Sequence, residues 1–281
     1  MRVAIARDKS VLLLLLLPAA LVIVVFFGSL VVTAISSFQD AQGHWSFHQY
    51  QRFLSDWFYL DYLWRSFRVA AYCTPITLLL GYPFAYVMAR ASPVVRLSLT
   101  LILVVQFFTS YIVRTYALIL ILGNNGVINR TLLHLGILER PLPLLYHEAG
   151  VAIGLVLVPL PFMIFPIYSV LKNIAPNLEP AAASLGASRQ KVFWHVTFPL
   201  SLPGVVAGLV LVFLFDMTAY IMPAMLGGGY FNMIANFIQE QTQSVLDQHF
   251  ASAASIVLLG VTLLALYVIN TVGARVSGSM K

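Results

Sequence analysis

Residues 177–204 read NLEPAAASLGASRQKVFWHVTFPLSLPG, a polar and basic stretch set between two long apolar runs. Two short helices hinged at a glycine fit it. Asn177 can cap the first, with Pro180 tolerated in its first turn because the amide lost there has no intrahelical acceptor. Gly186 can take the left-handed conformation that ends it. Ser188 is then a cap for a second helix, Arg189 to Val196. A polar hairpin between apolar segments needs an outside reason to exist, and a partner protein supplies one.

The runs on either side define the solvent. Of 281 residues, 60% are hydrophobic and 9% charged, whereas soluble domains carry roughly 25% charged residues. The fold class is therefore all-α and integral to a membrane. A spanning helix needs about 20 apolar residues, which predicts six spans near 11–36, 69–89, 97–121, 149–171, 200–225 and 250–273. The hairpin over 173–199 then falls between helices four and five, and residues 1–281 form one transmembrane domain. The first span follows Arg2, Arg7 and Lys9 like a signal peptide, but its apolar core is too long and no small-residue cleavage site follows, so it reads as a retained anchor. The single cysteine, Cys73, excludes a disulfide framework.

Charge sets the topology. With the N-terminus inside, cytoplasmic segments hold ten basic residues (Arg2, Arg7, Lys9, Arg90, Arg96, Lys172, Arg189, Lys191, Arg275, Lys281) against two acids, Asp8 and Glu179. Outer segments hold five basic residues (Arg52, Arg65, Arg68, Arg130, Arg140) against seven acids (Asp40, Asp56, Asp61, Glu139, Glu148, Glu240, Asp247). This asymmetry predicts N-in, C-in and a cytoplasmic hairpin. The net charge of +6 is scattered between apolar runs, which argues for membrane orientation rather than nucleic acid.

The outer segment 37–68 is dense in aromatics from Trp45 to Phe67. Phe47, Tyr50, Phe53, Leu54, Trp57 and Phe58 fall at helical spacing, so it reads as an interfacial helix or as a docking surface for an outer partner. Pro159, Pro161 and Pro166 interrupt the fourth span and leave carbonyls that need partners, which favours a buried or path-lining helix. Gly204 and Gly208 make a GxxxG step suited to close helix packing.

There is no GxxxxGK[ST] loop, so ATP hydrolysis is not expected on this chain. HExxH and GxSxG are also missing, and His44 and His48, four apart, lack a carboxylate to complete a metal site. No cofactor or metal is expected here. Two charges lie inside the predicted spans, Arg114 and Asp216, about 20–25 Å from the cytoplasmic end by helix rise. They either pair and fix the packing of two helices, act in gating, or meet substrate. In the last reading Asp216 contacts a cation, with Tyr220 one turn along and Tyr111, Phe108 and Arg114 nearby.

At the hairpin the sequence resembles the permease subunits of binding-protein-dependent ABC importers. Their signature runs EAA, three residues, Gly, nine residues, Ile-x-Leu-Pro. Ala181, Ala182, Gly186 and Pro199 match it, Ala187 follows the glycine, and Val196 and Phe198 replace the Ile and Leu. Pro180 stands where the family has Glu, and Glu179 comes one residue early. Gly81–Arg90 (GYPFAYVMAR), Thr109–Asn129 and Asp216–Gly228 look like the spermidine/putrescine-type permeases, in the same order over roughly residues 60–273. The resemblance implies a multi-pass protein of the bacterial inner membrane, with a coupling hairpin that seats on an ATPase. The implied partners are two ATPase subunits that carry ATP and magnesium, a second permease of different sequence, and an outer solute-binding protein. The implied substrate is a polyamine or similar small cation. An opine, phosphonate, thiamine or ferric ion is the alternative within the same class, and a stand-alone channel or secondary carrier the alternative outside it.

Overall fold

The computed structural model describes residues 9–40 and 42–278. Arg2, Arg7, Asp8 and Lys281, which enter the charge count, lie outside the described residues. Among the described residues the fold is helical, with a lone bridge between Gln39 and Trp45. Two compact units are present, one drawn from Met1–Tyr59 and Ile238–Leu259, the other from Leu60–Phe237 and Gly260–Lys281.

In the smaller unit, α1 (Lys9–Ser37) is followed by α2 (His48–Ser55). Phe53 is fully buried, and its ring lies 6.2 Å from that of Phe250. Arg52 pairs with Asp247 at 3.0 Å, and its guanidinium sits 4.1 Å over the Phe250 ring. Asp56 breaks the aromatic segment. It is extended, and its Oδ1 accepts from the Phe58 amide at 2.9 Å, so the next helix starts at once. That helix, α3 (Trp57–Arg90), begins twelve residues before the expected 69. The second half of the aromatic segment therefore belongs to a spanning helix rather than to an interfacial one.

The larger unit is built around prolines. The fourth expected span is two helices, α7 (Glu148–Leu157) and α8 (Leu160–Lys172). Pro161 has no N–H for the Leu157 carbonyl, and the Gln106 side chain donates to that oxygen instead, at 2.9 Å. The Val156 carbonyl beside it accepts from Thr77 Oγ1 at 3.4 Å. Gln106 lies on α4 (Pro93–Phe108), and α5 (Tyr111–Leu122) starts after an extended Thr109–Ser110 step. The expected span 97–121 is thus interrupted at 109–110. Together α5 and α6 (Val127–His134) make the third apolar stretch long enough to cross, Tyr111–His134. The other five are Leu16–Ser37, Trp57–Arg90, Glu148–Lys172, Arg189–Met217 and Gln248–Arg275.

The hairpin helices are α9 (Leu178–Ser184) and α10 (Arg189–Val192). The second does not stop at Val196. It runs through a π turn, Phe193–Thr197, into α11 (Phe198–Met217). Pro199 offers no donor to the His195 carbonyl, and the Phe198 amide reaches back five residues to Phe193 O, so one extra residue is absorbed without breaking the rod. At the far end α11 stops at Met217, short of the expected 225, and α12 (Ile221–Leu226) is separate. Next come α13 (Ile234–Glu240) and α14 (Gln248–Gly278).

Helices α8 and α11 meet at the GxxxG step. A Cβ at Gly204 would lie 2.7 Å from Pro166 O and 2.9 Å from Ile167 Cα, both backbone atoms that cannot move aside locally. Around this contact Met88, Met163, Ile167 and Val212 are fully buried. Gly204→Ala is accordingly expected to destabilise the chain by about 1–3 kcal/mol. Gly260→Ala, whose Cβ meets nothing within 4 Å, should not. Thermal unfolding of the two variants in detergent makes the comparison.

Candidate functional site

Two places concentrate chemistry. The first is the hairpin. Gly186 has φ +84°, in the left-handed region. Its amide donates to Ala183 O at 2.9 Å and the Ala187 amide to Ala182 O at 3.2 Å. Those two bonds are a Schellman closure of α9, with glycine at the one position that must be left-handed. Ser188 Oγ then accepts from the Lys191 amide at 3.4 Å and starts α10. The two alanines of the signature thus have a backbone role: Ala182 O takes the Ala187 amide in the turn, Ala181 O takes the Leu185 amide at 3.3 Å, and Ala183, outside the signature, supplies the other closing carbonyl. Asn177 stands at the N-cap but makes no side-chain bond there.

Glu179 points back into the protein. Its carboxylate forms an ion pair with Arg90, the last residue of α3. It also accepts from Thr197 Oγ1 at 2.7 Å. The Arg90 guanidinium lies 4.3 Å from the Tyr86 ring centre. Beside this group lies a cleft of about 470 Å³ whose walls include Pro180, Ala183 and Ala187. No residue of α9 is buried, and Leu185 at the turn is 90% exposed. Sequence reasoning did not find Arg90, Tyr86 or Thr197. Arg90 ends a quoted motif, but no local pattern ties it to Glu179.

The second place is the pair of charges read as intramembrane. Asp216 is fully buried near the end of α11, and its Oδ2 accepts from Thr74 Oγ1 at 3.3 Å. Its Oδ1 has no partner. Arg114 sits in the first turn of α5 rather than deep within a long span, 5.7 Å over the Tyr111 ring, and its Nε is also unpartnered. Among the described residues no ion pair joins Arg114 to Asp216, so the packing role through pairing is not realised in this structure. Arg114 follows a break at 109–110, in the first turn of a new helix.

What the structure does bring together is Tyr111 and Tyr220. Both line a cleft of about 250 Å³ with Phe215, Thr218, Ala219 and Ile221. Rings continue behind it, Tyr111 to Phe215 at 6.0 Å and Phe215 to Phe162 at 5.9 Å. Phe108 stands outside the cleft and is 80% exposed.

The fold is that of a multi-pass helical membrane protein with a polar hairpin before its fifth span. Residues 59–277 match the family of binding-protein-dependent transport system inner membrane components, and the chain belongs to that family of ABC importer permeases. It is 37% identical over 205 residues to the spermidine/putrescine transport system permease protein PotB of Escherichia coli (strain K12), across 73% of this chain and 74% of that one. It is 31% identical over 211 residues to the molybdenum transport system permease protein ModB of Mycobacterium bovis, across 75% and 77%. Its fold is similar to a chain of a bacterial ABC transporter involved in the import of the acidic polysaccharide alginate, with TM-score 0.75 and 17% identity over 95% of this chain and 96% of that one. A chain of the MetNI methionine ABC transporter matches at TM-score 0.54 and 15% identity, over 80% and 97%.

A buried carboxylate with one hydrogen bond and no counter-charge contributes nothing to folding that an amide cannot replace. Asp216→Asn should therefore assemble normally and keep or raise its thermal midpoint. A drop of several degrees would mean that the carboxylate is paired in the membrane.

Proposed function

We propose that this chain is one of two permease subunits lining the path of an ATP-driven importer for spermidine, putrescine or a similar small cation. The observation that carries the substrate class is the 37% identity to PotB over 73% of the chain. The cleft of Tyr111, Phe215 and Tyr220 supports it, because aromatic faces attract ammonium groups at about 0.5–2 kcal/mol each. The subunit sits in the bacterial inner membrane with both ends inside, as the excess of basic residues on the hairpin side favours. Two ATPase subunits supply the ATP chemistry for which this sequence has no phosphate loop, and an outer binding protein delivers the substrate.

The hairpin is the coupling element. Leu185 at its turn and Trp194 in the π turn are 90% and 60% exposed, as expected of side chains that seat in a groove of the ATPase. Closure of the ATPase dimer then biases the inward–outward equilibrium of the helices through that contact. Arg114, beside the cleft, favours a second reading in which the cargo is an anion.

Proteoliposomes separate these readings. The complete assembly should take up labelled spermidine only with ATP inside and binding protein outside, and the chain alone should pass none. Flux through the chain alone would sink the importer reading. Uptake blocked by an anion but not by putrescine would favour the anionic cargo. Gly186→Leu forces a branched side chain into the left-handed region, at about 1–2 kcal/mol, and should abolish ATPase stimulation by the binding protein. Leu185→Ala removes an anchor worth about 1.5–3 kcal/mol when buried, and should weaken ATPase binding about 10- to 100-fold in a titration of detergent-solubilised subunits.

A further inference from the structure

We infer that Arg90, Glu179 and Thr197 form a clamp that makes the hairpin, the end of α3 and the start of α11 move as one body. The inference rests on the importer reading above and assigns Arg90 and Thr197 as positioning residues for coupling.

The first argument is what α9 lacks. None of its residues is buried, so apolar packing does not fix how this helix lies on the spans. Polar contacts must hold it, and one carboxylate supplies two. Glu179 takes the Arg90 guanidinium from the end of α3 and the Thr197 hydroxyl, at 2.7 Å, from the residue before α11. Two partners, one from the end of α3 and one from the π turn before α11, meet on its Oε1.

The second argument is how the partners are held. Arg90 is steadied by the Tyr86 ring, 4.3 Å away. Tyr86 lies 5.7 Å from Phe193 of the π turn. One turn up α3, the Tyr82 hydroxyl meets Ser201 Oγ of α11 at 2.9 Å, buried. So α3 and α11 are already joined to each other, and the carboxylate adds the hairpin to that pair. The third argument is register. A side chain at 180 leaves the helix about 100° round from one at 179. Proline at 180 and glutamate at 179 therefore turn the acid away from that direction and toward Arg90.

The mechanical consequence is specific. Without the clamp, a pull on Leu185 swings α9 about its linkers. With it, the pull reaches both α3, which carries Thr74, and α11, which carries Asp216 and leads to the Tyr111–Tyr220 cleft. The pair is partly open to solvent, with 33% and 28% of the Arg90 and Glu179 side chains exposed, so it can break and reform during turnover.

Two measurements test this. In the purified chain, spin labels at Val87→Cys and Leu185→Cys, both exposed positions, report the distance from α3 to the turn. The clamp gives one narrow distribution, which Glu179→Gln or Arg90→Gln broadens. Distributions unchanged by either variant overturn it, whether or not any transport is seen. In the complete assembly, the ATP consumed per spermidine imported should rise about five-fold or more in each single variant, the low end of usual coupling strengths. The double variant should be no worse than either single, and the exchanged pair Arg90→Glu with Glu179→Arg should recover the ratio. Thr197→Val, which leaves the ion pair intact, should raise it less. Unchanged ratios, or losses that add in the double variant, overturn the clamp. A wild-type assembly that imports nothing counts against the importer reading, while the label distances still decide the clamp.

Discussion

Backbone polar groups inside a membrane must find partners within the protein, and in this chain that requirement falls on the carbonyls freed by proline. Pro161 strips Leu157 of its helical donor, and Gln106 of α4 replaces it. The neighbouring Val156 carbonyl is reached by Thr77 of α3. Two helices are thereby tied, at one level, to the break between α7 and α8. Each unsatisfied group in lipid would cost several kcal/mol, so these few side-chain donors rival a whole layer of apolar contacts. The break is also where α8 turns its face to α11, and Gly204 lets the two backbones approach within the space a methyl group would need.

The same constraint keeps the hairpin and the fifth span on one unbroken backbone ladder. From Arg189 to Met217 the helix is continuous, but it contains a π turn directly after the hairpin. A π turn keeps the backbone bonded while changing the rotation of everything beyond it. The hairpin's second helix and the fifth span are thus one element rather than two joined by a linker. The Schellman turn at Gly186 closes the end of α9 through backbone bonds, and how α9 lies against the spans is left to Glu179 and its partners.

The existence of six apolar stretches and of the hairpin was legible in the sequence, because both rest on local rules: apolar run length, the need for a left-handed glycine, and serine at a cap. What was not legible depends on contacts between elements. The interruption at 109–110 carries neither proline nor glycine, so no local breaker announces it. The early start of α3 depends on Asp56 capping a helix whose first turns are aromatic enough to look interfacial. Arg114 and Asp216 stood out as charges in apolar runs, but whether two such charges pair depends on contacts between helices that the runs do not reveal. The Glu179–Arg90 contact joins positions far apart in the chain, and the displaced glutamate looked like a departure from the family signature rather than a partner for α3.

Weakness suits the contact between Glu179 and Arg90. Partly exposed ion pairs contribute about 0.2–1 kcal/mol, too little to decide whether the protein folds. The buried bond between Tyr82 and Ser201 and the α8–α11 interface carry that task. A contact that is cheap to break yet stereochemically exacting can hold α9 to α3 and to the residue before α11 and still be undone. A fully buried pair would lock them, since separating it would leave charges without solvent. The hairpin turn is therefore closed by backbone bonds, while the hold of α9 on α3 is polar and partly wet.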